Sequence, residues 1–174
     1  EAGMSVVGLD SNQHVVDRLC VGSSHIDDVS DDELATGLRS GFTASADATV
    51  IADADVVVVC VPTPLAEEGG PDLTPVRAAA AAIGRHVRPG TLCILESTTY
   101  PGTTEELILP ILESTGMQVG KDFFLAFSPE RVDPGRTDYT IRTTPKIVGG
   151  LTERCTERAV AVYRLVCEQI VPAQ

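Results

Sequence analysis

Tryptophan is missing from these 174 residues and aromatic side chains make up only 4% of them. The core therefore has to be built from small aliphatics, and alanine and valine abound. Positive charge is scarce as well: 13 lysines and arginines stand against 25 aspartates and glutamates, a net charge of −12, and no basic run occurs anywhere. That balance excludes nucleic acid and an anionic membrane surface as partners. No apolar run approaches the ~20 residues that a membrane span requires. The five cysteines, at 20, 60, 93, 155 and 167, are odd in number and lack the C-x-x-C spacing of zinc or redox sites. They read as reduced, buried thiols, with Cys60 and Cys93 inside apolar runs where a thiol acts as a small hydrophobe with a raised pKa. The three histidines, at 14, 25 and 86, cluster with neither one another nor a cysteine, so no metal site is expected. The opening Glu-Ala-Gly-Met has neither the basic region nor the apolar segment of a signal peptide. It reads as a helix end running into a strand, and implies a start partway into a domain and a cytoplasmic location.

What is present is a 43% hydrophobic, 22% charged chain, long enough for one domain with a real core. Residues 91–106, TLCILESTTYPGTTEE, organise it. The apolar, β-branched run predicts a short strand buried on both faces. It releases Glu96, Ser97, Thr98 and Thr99 where the strand ends, at the edge of an open α/β sheet where ligands bind. Thr103 and Glu106 fit a capping box for the helix that follows, which places free N–H groups toward the same crevice. Pro110 kinks that helix or moves its start later.

Around this stretch, strands and helices alternate. A strand over 5–10 ends in Asp10, which reads equally as a turn residue or as the acid that holds an adenosine ribose. A helix over 12–21 follows, and Ser30 with Glu33 opens another that runs to residue 40. A short strand at 42–44 and a small helix at 47–54 lead to residues 55–61, the most hydrophobic run, which predicts a buried parallel strand. It ends in Val61-Pro62-Thr63-Pro64, where two prolines hold Thr63 out of the helical region and present its hydroxyl at the sheet edge. That is either a rigid loop or a cofactor contact. Thr74 and Pro75 start a helix with an N-cap and a first-turn proline. The strand at 123–127 delivers Ser128-Pro129-Glu130, whose carboxylate reads as an exposed loop acid or as a general base. Residues 145–149 form a strand, 152–167 a helix, and 168–172 a last strand. The alternation predicts a doubly wound parallel sheet, a Rossmann-like α/β fold.

Taken in order, Gly8-Leu9-Asp10, the run into Val61-Pro62-Thr63-Pro64, Glu96-Ser97-Thr98-Thr99-Tyr100-Pro101-Gly102, Ser128-Pro129-Glu130-Arg131 and Lys146-Ile147-Val148-Gly149-Gly150 resemble the NAD-binding domain of the UDP-glucose/GDP-mannose dehydrogenase family. The wording STTYPGTTEE and SPERVDPG is most similar to its UDP-N-acetylglucosamine 6-dehydrogenase branch. The resemblance implies oxidation of the C6 alcohol of a UDP-sugar to the carboxylate with two NAD, and a homo-oligomer in the full-length protein. It implies cofactor contacts from Asp10, Val61, Pro62, Thr63, Ser97 and Thr98, and catalytic roles for Thr98 and Glu130. Val15 stands where many relatives carry a basic residue, and Pro134, beside Asp133, where UDP-glucose enzymes carry a second Glu.

The glycine loop G-x-G-x-x-G belongs about twenty residues before the ribose acid, yet nine residues precede Asp10 and hold no such loop. The expectation is therefore residues 1–174 as a partial Rossmann domain, truncated at its N-terminus, without its first strand, the family's central helix, or its sugar-binding domain with the catalytic Lys and Cys. No cysteine here lies in that nucleophile motif. Alone, the chain is expected to bind NAD weakly and not to turn over substrate. The rival readings are a UDP-glucose or UDP-N-acetylmannosamine 6-dehydrogenase fragment, a non-catalytic remnant acting as an interaction module, and an unrelated Rossmann reductase.

Overall fold

A computed structural model describes residues 3–26, 28–66, 69–130 and 142–173. The chain divides into two compact units, residues 1–50 with 133–137, and residues 51–132 with 138–174.

In the first unit, β1 (Val7–Leu9) pairs in parallel with β2 (Thr43–Ser45), with Val7 opposite Thr43. The crossover carries two helices, α1 (Gln13–Cys20) and α2 (Asp31–Arg39). Asn12 caps α1 by accepting from the His14 N–H at 3.0 Å. Ser30 and Glu33 form the reciprocal capping box that the sequence predicts for α2. Gly8 lets the Phe42 ring lie close to β1, since a Cβ there would be 3.0 Å from it.

The second unit is a five-stranded sheet in the order β3 (Val56–Val59), β4 (Leu92–Leu95), β5 (Phe124–Phe127), β6 (Lys146–Gly150), β7 (Ile170–Ala173). It is mixed α/β with a mainly parallel sheet, and one step departs from the predicted all-parallel pattern. β6 runs antiparallel to β5, with Phe127 opposite Gly149, because β6 enters from the edge at which β5 leaves. Every residue of β4 is buried, as its apolar run predicts. β3 is less buried than its sequence implies, and Val58 is 44% exposed, since among the described residues β3 has only β4 as a partner. At the other rim, the Lys146 N–H donates to the Gln169 carbonyl. Alternation along β7 then turns Pro172 outward, where a missing N–H costs no ladder bond.

Helices cover the sheet. α3 (Thr74–His86) and α4 (Leu109–Glu113) pack together. α5 (Glu153–Tyr163) lies over β4, β5 and β6, burying Cys155, Ala159, Val160 and Tyr163 against Leu92, Ile94, Phe124, Ala126 and Val148. A Cβ on Gly150 would fall 2.3 Å from the Thr156 nitrogen, so only glycine lets α5 come this near to β6.

Two predicted caps are not formed. Thr74 is the first residue of α3 rather than its cap, and Asp72 accepts the Thr74 N–H at 2.9 Å instead. Thr103 is already helical and its hydroxyl donates to the Tyr100 carbonyl at 2.8 Å, so the Thr103/Glu106 capping box is absent. Residues Thr104–Ile108 form a π-helical turn before α4 begins at Leu109. Pro110 has no N–H to return to the carbonyl four residues back, and the wider turn accommodates that loss. No helix among the described residues is long and apolar enough to cross a membrane.

Candidate functional site

The carboxyl ends of β3, β4 and β5 open into a cleft of about 270 Å³ lined by Cys60, Val61, Pro62, Thr63, Glu96, Ser97, Thr98 and Glu130. Each strand contributes its exit: residues 60–63 after β3, 96–98 after β4, and Glu130 three residues beyond β5. Six of the seven residues singled out from the sequence meet here. The seventh, Asp10, follows β1 in the first unit, where its carboxylate accepts the Asn12 N–H at 2.7 Å.

Two strand exits are laced together. The Glu96 and Ser97 N–H groups both donate to the Val59 carbonyl, at 2.9 and 3.2 Å. Ser97, only 7% exposed, donates its hydroxyl to the Val61 carbonyl at 2.7 Å, and Thr63 donates its own to the Thr98 carbonyl at 2.7 Å. The Thr63 hydroxyl is thus not the free donor that its bracketing prolines suggest. Thr98 differs: its hydroxyl is exposed in the cleft and makes no hydrogen bond among the described residues. Glu130 is exposed at the rim, while Arg131, Asp133 and Pro134 lie outside the described residues.

Behind the cleft wall sits a charged group that the sequence reading missed. Lys146, the first residue of β6, is 2% exposed, and its ammonium lies 2.9 Å from Glu96 Oε1. Among the described residues it has no neutral hydrogen-bond acceptor, so the carboxylate compensates its charge. Tyr163 of α5 donates its hydroxyl to the same Oε1, and its ring lies 5.2 Å from the ammonium. Cys60 Sγ lies 3.6 Å from the other oxygen, Glu96 Oε2, and its thiol donates to it. The signal was legible: a lysine that opens an otherwise apolar strand needs a buried carboxylate.

These contacts move two titrations. Burial of the sulfur, with the Glu96 charge beside it, pushes the Cys60 thiol up to about 12. Burial first, and then the bond to Glu96, raises the Tyr163 phenol far above its usual range. All five cysteines are free, but Cys20 and Cys60 are exposed residues rather than buried as expected, although the Cys60 sulfur itself is partly covered. Among the described residues no group of three or more His, Cys, Asp or Glu is arranged to hold a metal ion.

The donor set fits a dinucleotide. Val61 and Pro62 give an apolar wall for a flat ring, and Thr98 gives a free hydroxyl. The crevice lies outside the carboxyl ends of parallel strands, where such ligands bind. Asp10, at the carboxyl end of a parallel strand in the first unit, has the chemistry to accept from a ribose diol.

Comparison with known proteins agrees. The model of the NAD-binding domain of the UDP-glucose/GDP-mannose dehydrogenase family matches residues 1–167. A UDP-N-acetyl-D-glucosamine 6-dehydrogenase of Pseudomonas aeruginosa is 36% identical over 161 residues, covering 92% of this chain and 38% of that protein. A UDP-N-acetyl-D-mannosamine dehydrogenase of Escherichia coli K12 is 34% identical over 174 residues, covering 94% and 40%. Among solved structures, a UDP-D-ManNAc dehydrogenase of Pyrococcus horikoshii superposes with a TM-score of 0.93 at 32% identity, over 99% of this chain and 42% of that one. The chain thus spans about two fifths of the length of the curated relatives it matches.

Proposed function

The chain belongs to the UDP-glucose/GDP-mannose dehydrogenase family and corresponds to its NAD-binding domain, and from that premise we propose that it forms the cofactor half of a UDP-sugar 6-dehydrogenase. The substrate is a UDP-N-acetylhexosamine, with UDP-N-acetylglucosamine first. The observation that carries the reading is the cleft that gathers Val61, Pro62, Thr63, Thr98 and Glu130 at the ends of three adjacent strands.

NAD, when bound, supplies hydride acceptance in each of two successive oxidations at C6, alcohol to aldehyde and aldehyde to carboxylate. This chain's own residues do the rest of the work assigned to it. Asp10 accepts from the adenosine ribose, and its charge disfavours a 2′-phosphate. Val61 and Pro62 exclude water from one side of the cofactor, while Ser97 and Thr63 brace the two strand exits. The free Thr98 hydroxyl and the Glu130 carboxylate orient the water consumed in the second oxidation and take up its proton. A second reading, UDP-N-acetylmannosamine as the substrate, is favoured by the 34% identity to the Escherichia coli enzyme.

Titration calorimetry of the 174-residue chain with NAD, beside an Asp10→Ala variant, tests the cofactor assignment. Binding that the variant loses is the expected result. No binding by a chain that circular dichroism shows to be folded refutes it and favours a non-catalytic interaction module.

A further inference from the structure

Five of the links that join the β3 and β4 exits end on a backbone carbonyl: two N–H groups on the Val59 carbonyl, the Ser97 hydroxyl on the Val59 and Val61 carbonyls, and Thr63 on the Thr98 carbonyl. The sixth is the Cys60 thiol on Glu96 Oε2, and it differs in kind. A carboxylate on a side chain with three rotatable torsions has no fixed direction unless something else holds it. Here the holding groups are remote in sequence. Lys146 from β6 and Tyr163 from α5 both grip Oε1, which leaves Oε2 facing Cys60. Lys146 in turn lies against the Tyr163 ring, so neither group can swing away independently.

Resting on the cofactor reading above, we infer that Lys146 and Tyr163 are positioning residues: through Glu96 they fix the wall formed by residues 60–63 in the place that the dinucleotide requires. Neither residue lines the cleft. Their effect runs through one carboxylate, in the way that outer groups orient the residues that touch a ligand. The arrangement also explains why a charge is buried behind the cleft at all, since an apolar filler of the same volume packs as well but orients nothing.

The test compares the 174-residue chain with its Tyr163→Phe variant, which alters no charge at neutral pH. Two readouts are used besides the melting temperature. The first is the rate of iodoacetamide labelling of Cys60 at pH 8, read by peptide mass spectrometry against exposed Cys20 in the same molecule. The second is the NAD dissociation constant by calorimetry. The expected result is Cys60 labelling several-fold faster with Cys20 unchanged, and NAD binding weakened about tenfold. Glu96→Gln with Lys146→Met, which removes both charges at similar volume, is expected to do the same and serves if Tyr163→Phe does not fold.

An unchanged NAD constant in a folded variant overturns the inference, even with faster labelling, because the network then holds a thiol and not the cofactor wall. A wild-type chain that binds no NAD overturns the cofactor reading instead. The labelling arm then decides alone whether the network holds the wall, and an unchanged Cys60 rate refutes it.

Discussion

Removing the Lys146 ammonium is the severest single perturbation that the site offers. In Lys146→Met the side-chain volume is nearly kept, so little of the effect comes from a cavity. What remains is a Glu96 side chain only 12% exposed whose charge has lost its partner at 2.9 Å. Tyr163 and Cys60 still donate to it, which places the cost near the lower end of the range for breaking a buried pair, about 3 kcal/mol. For a chain of this size that corresponds to a fall in melting temperature of roughly 6–12 °C. The pair between Arg88 and Asp55 supplies the control: at 2.7 Å it is the shorter contact, yet its side chains are 47% and 92% exposed. Water screens it, so Arg88→Met is expected to cost less than about 1 kcal/mol. Urea unfolding followed by far-ultraviolet circular dichroism measures both, and adding Glu96→Gln to Lys146→Met is expected to recover most of the loss. The reasoning fails if Lys146→Met and Arg88→Met cost the same, or if the second substitution worsens the first.

Gly150→Ala forces a Cβ to within 2.3 Å of the Thr156 nitrogen and 2.6 Å of Cys155; a loss of about 3 kcal/mol is expected by chemical denaturation, and a loss under 1 kcal/mol would show that α5 can retreat. Thr63→Val removes the bond to the Thr98 carbonyl at 2.7 Å and is expected to weaken NAD binding several-fold by calorimetry with a stability loss of about 1 kcal/mol. Cys60 and Cys93 are both pushed up to about 12, Cys60 by burial and Glu96, Cys93 by burial alone. Because the folded chain holds these protons more tightly than the unfolded one, whose thiols titrate near 9, their stabilisation is complete below pH 9 and declines from there to pH 12. Urea midpoints that fall across that window are expected, and a flat profile would contradict it.

Most of the fold was legible because the apolar runs are short and sharply bounded. Residues 55–61, 91–95 and 123–127 each yield a parallel strand of the central sheet, and residues from the segment after each one line the cleft. The direction of β6 was not legible, because the apolar pattern of Lys146–Gly150 is the same whichever way the strand runs. The predicted box at Thr103 and Glu106 failed because a capping pattern reads four residues, whereas the outcome depended on Pro110 further along. Lys146 in an apolar strand signals a buried carboxylate partner, but which carboxylate it meets is not written in the sequence. Tyr163 sits on the inner face of a helix whose period already explains it, and only the folded chain brings the two to one oxygen.

That convergence has a consequence for the order in which the protein is made. Cys60 and Glu96 are 36 residues apart, and Tyr163 lies another 67 further on. During synthesis every residue that lines the cleft has therefore emerged well before α5, and β3, β4 and β5 can pair while Glu96 still lacks its distant donors. The direct links between the strand exits do not wait, but the carboxylate acquires its direction only when α5 docks. A nascent chain stalled before residue 152 is expected to show strand pairing with Cys60 alkylated faster than in a chain carried through α5. The wall of the cleft is in this sense set by a helix that follows every residue lining it.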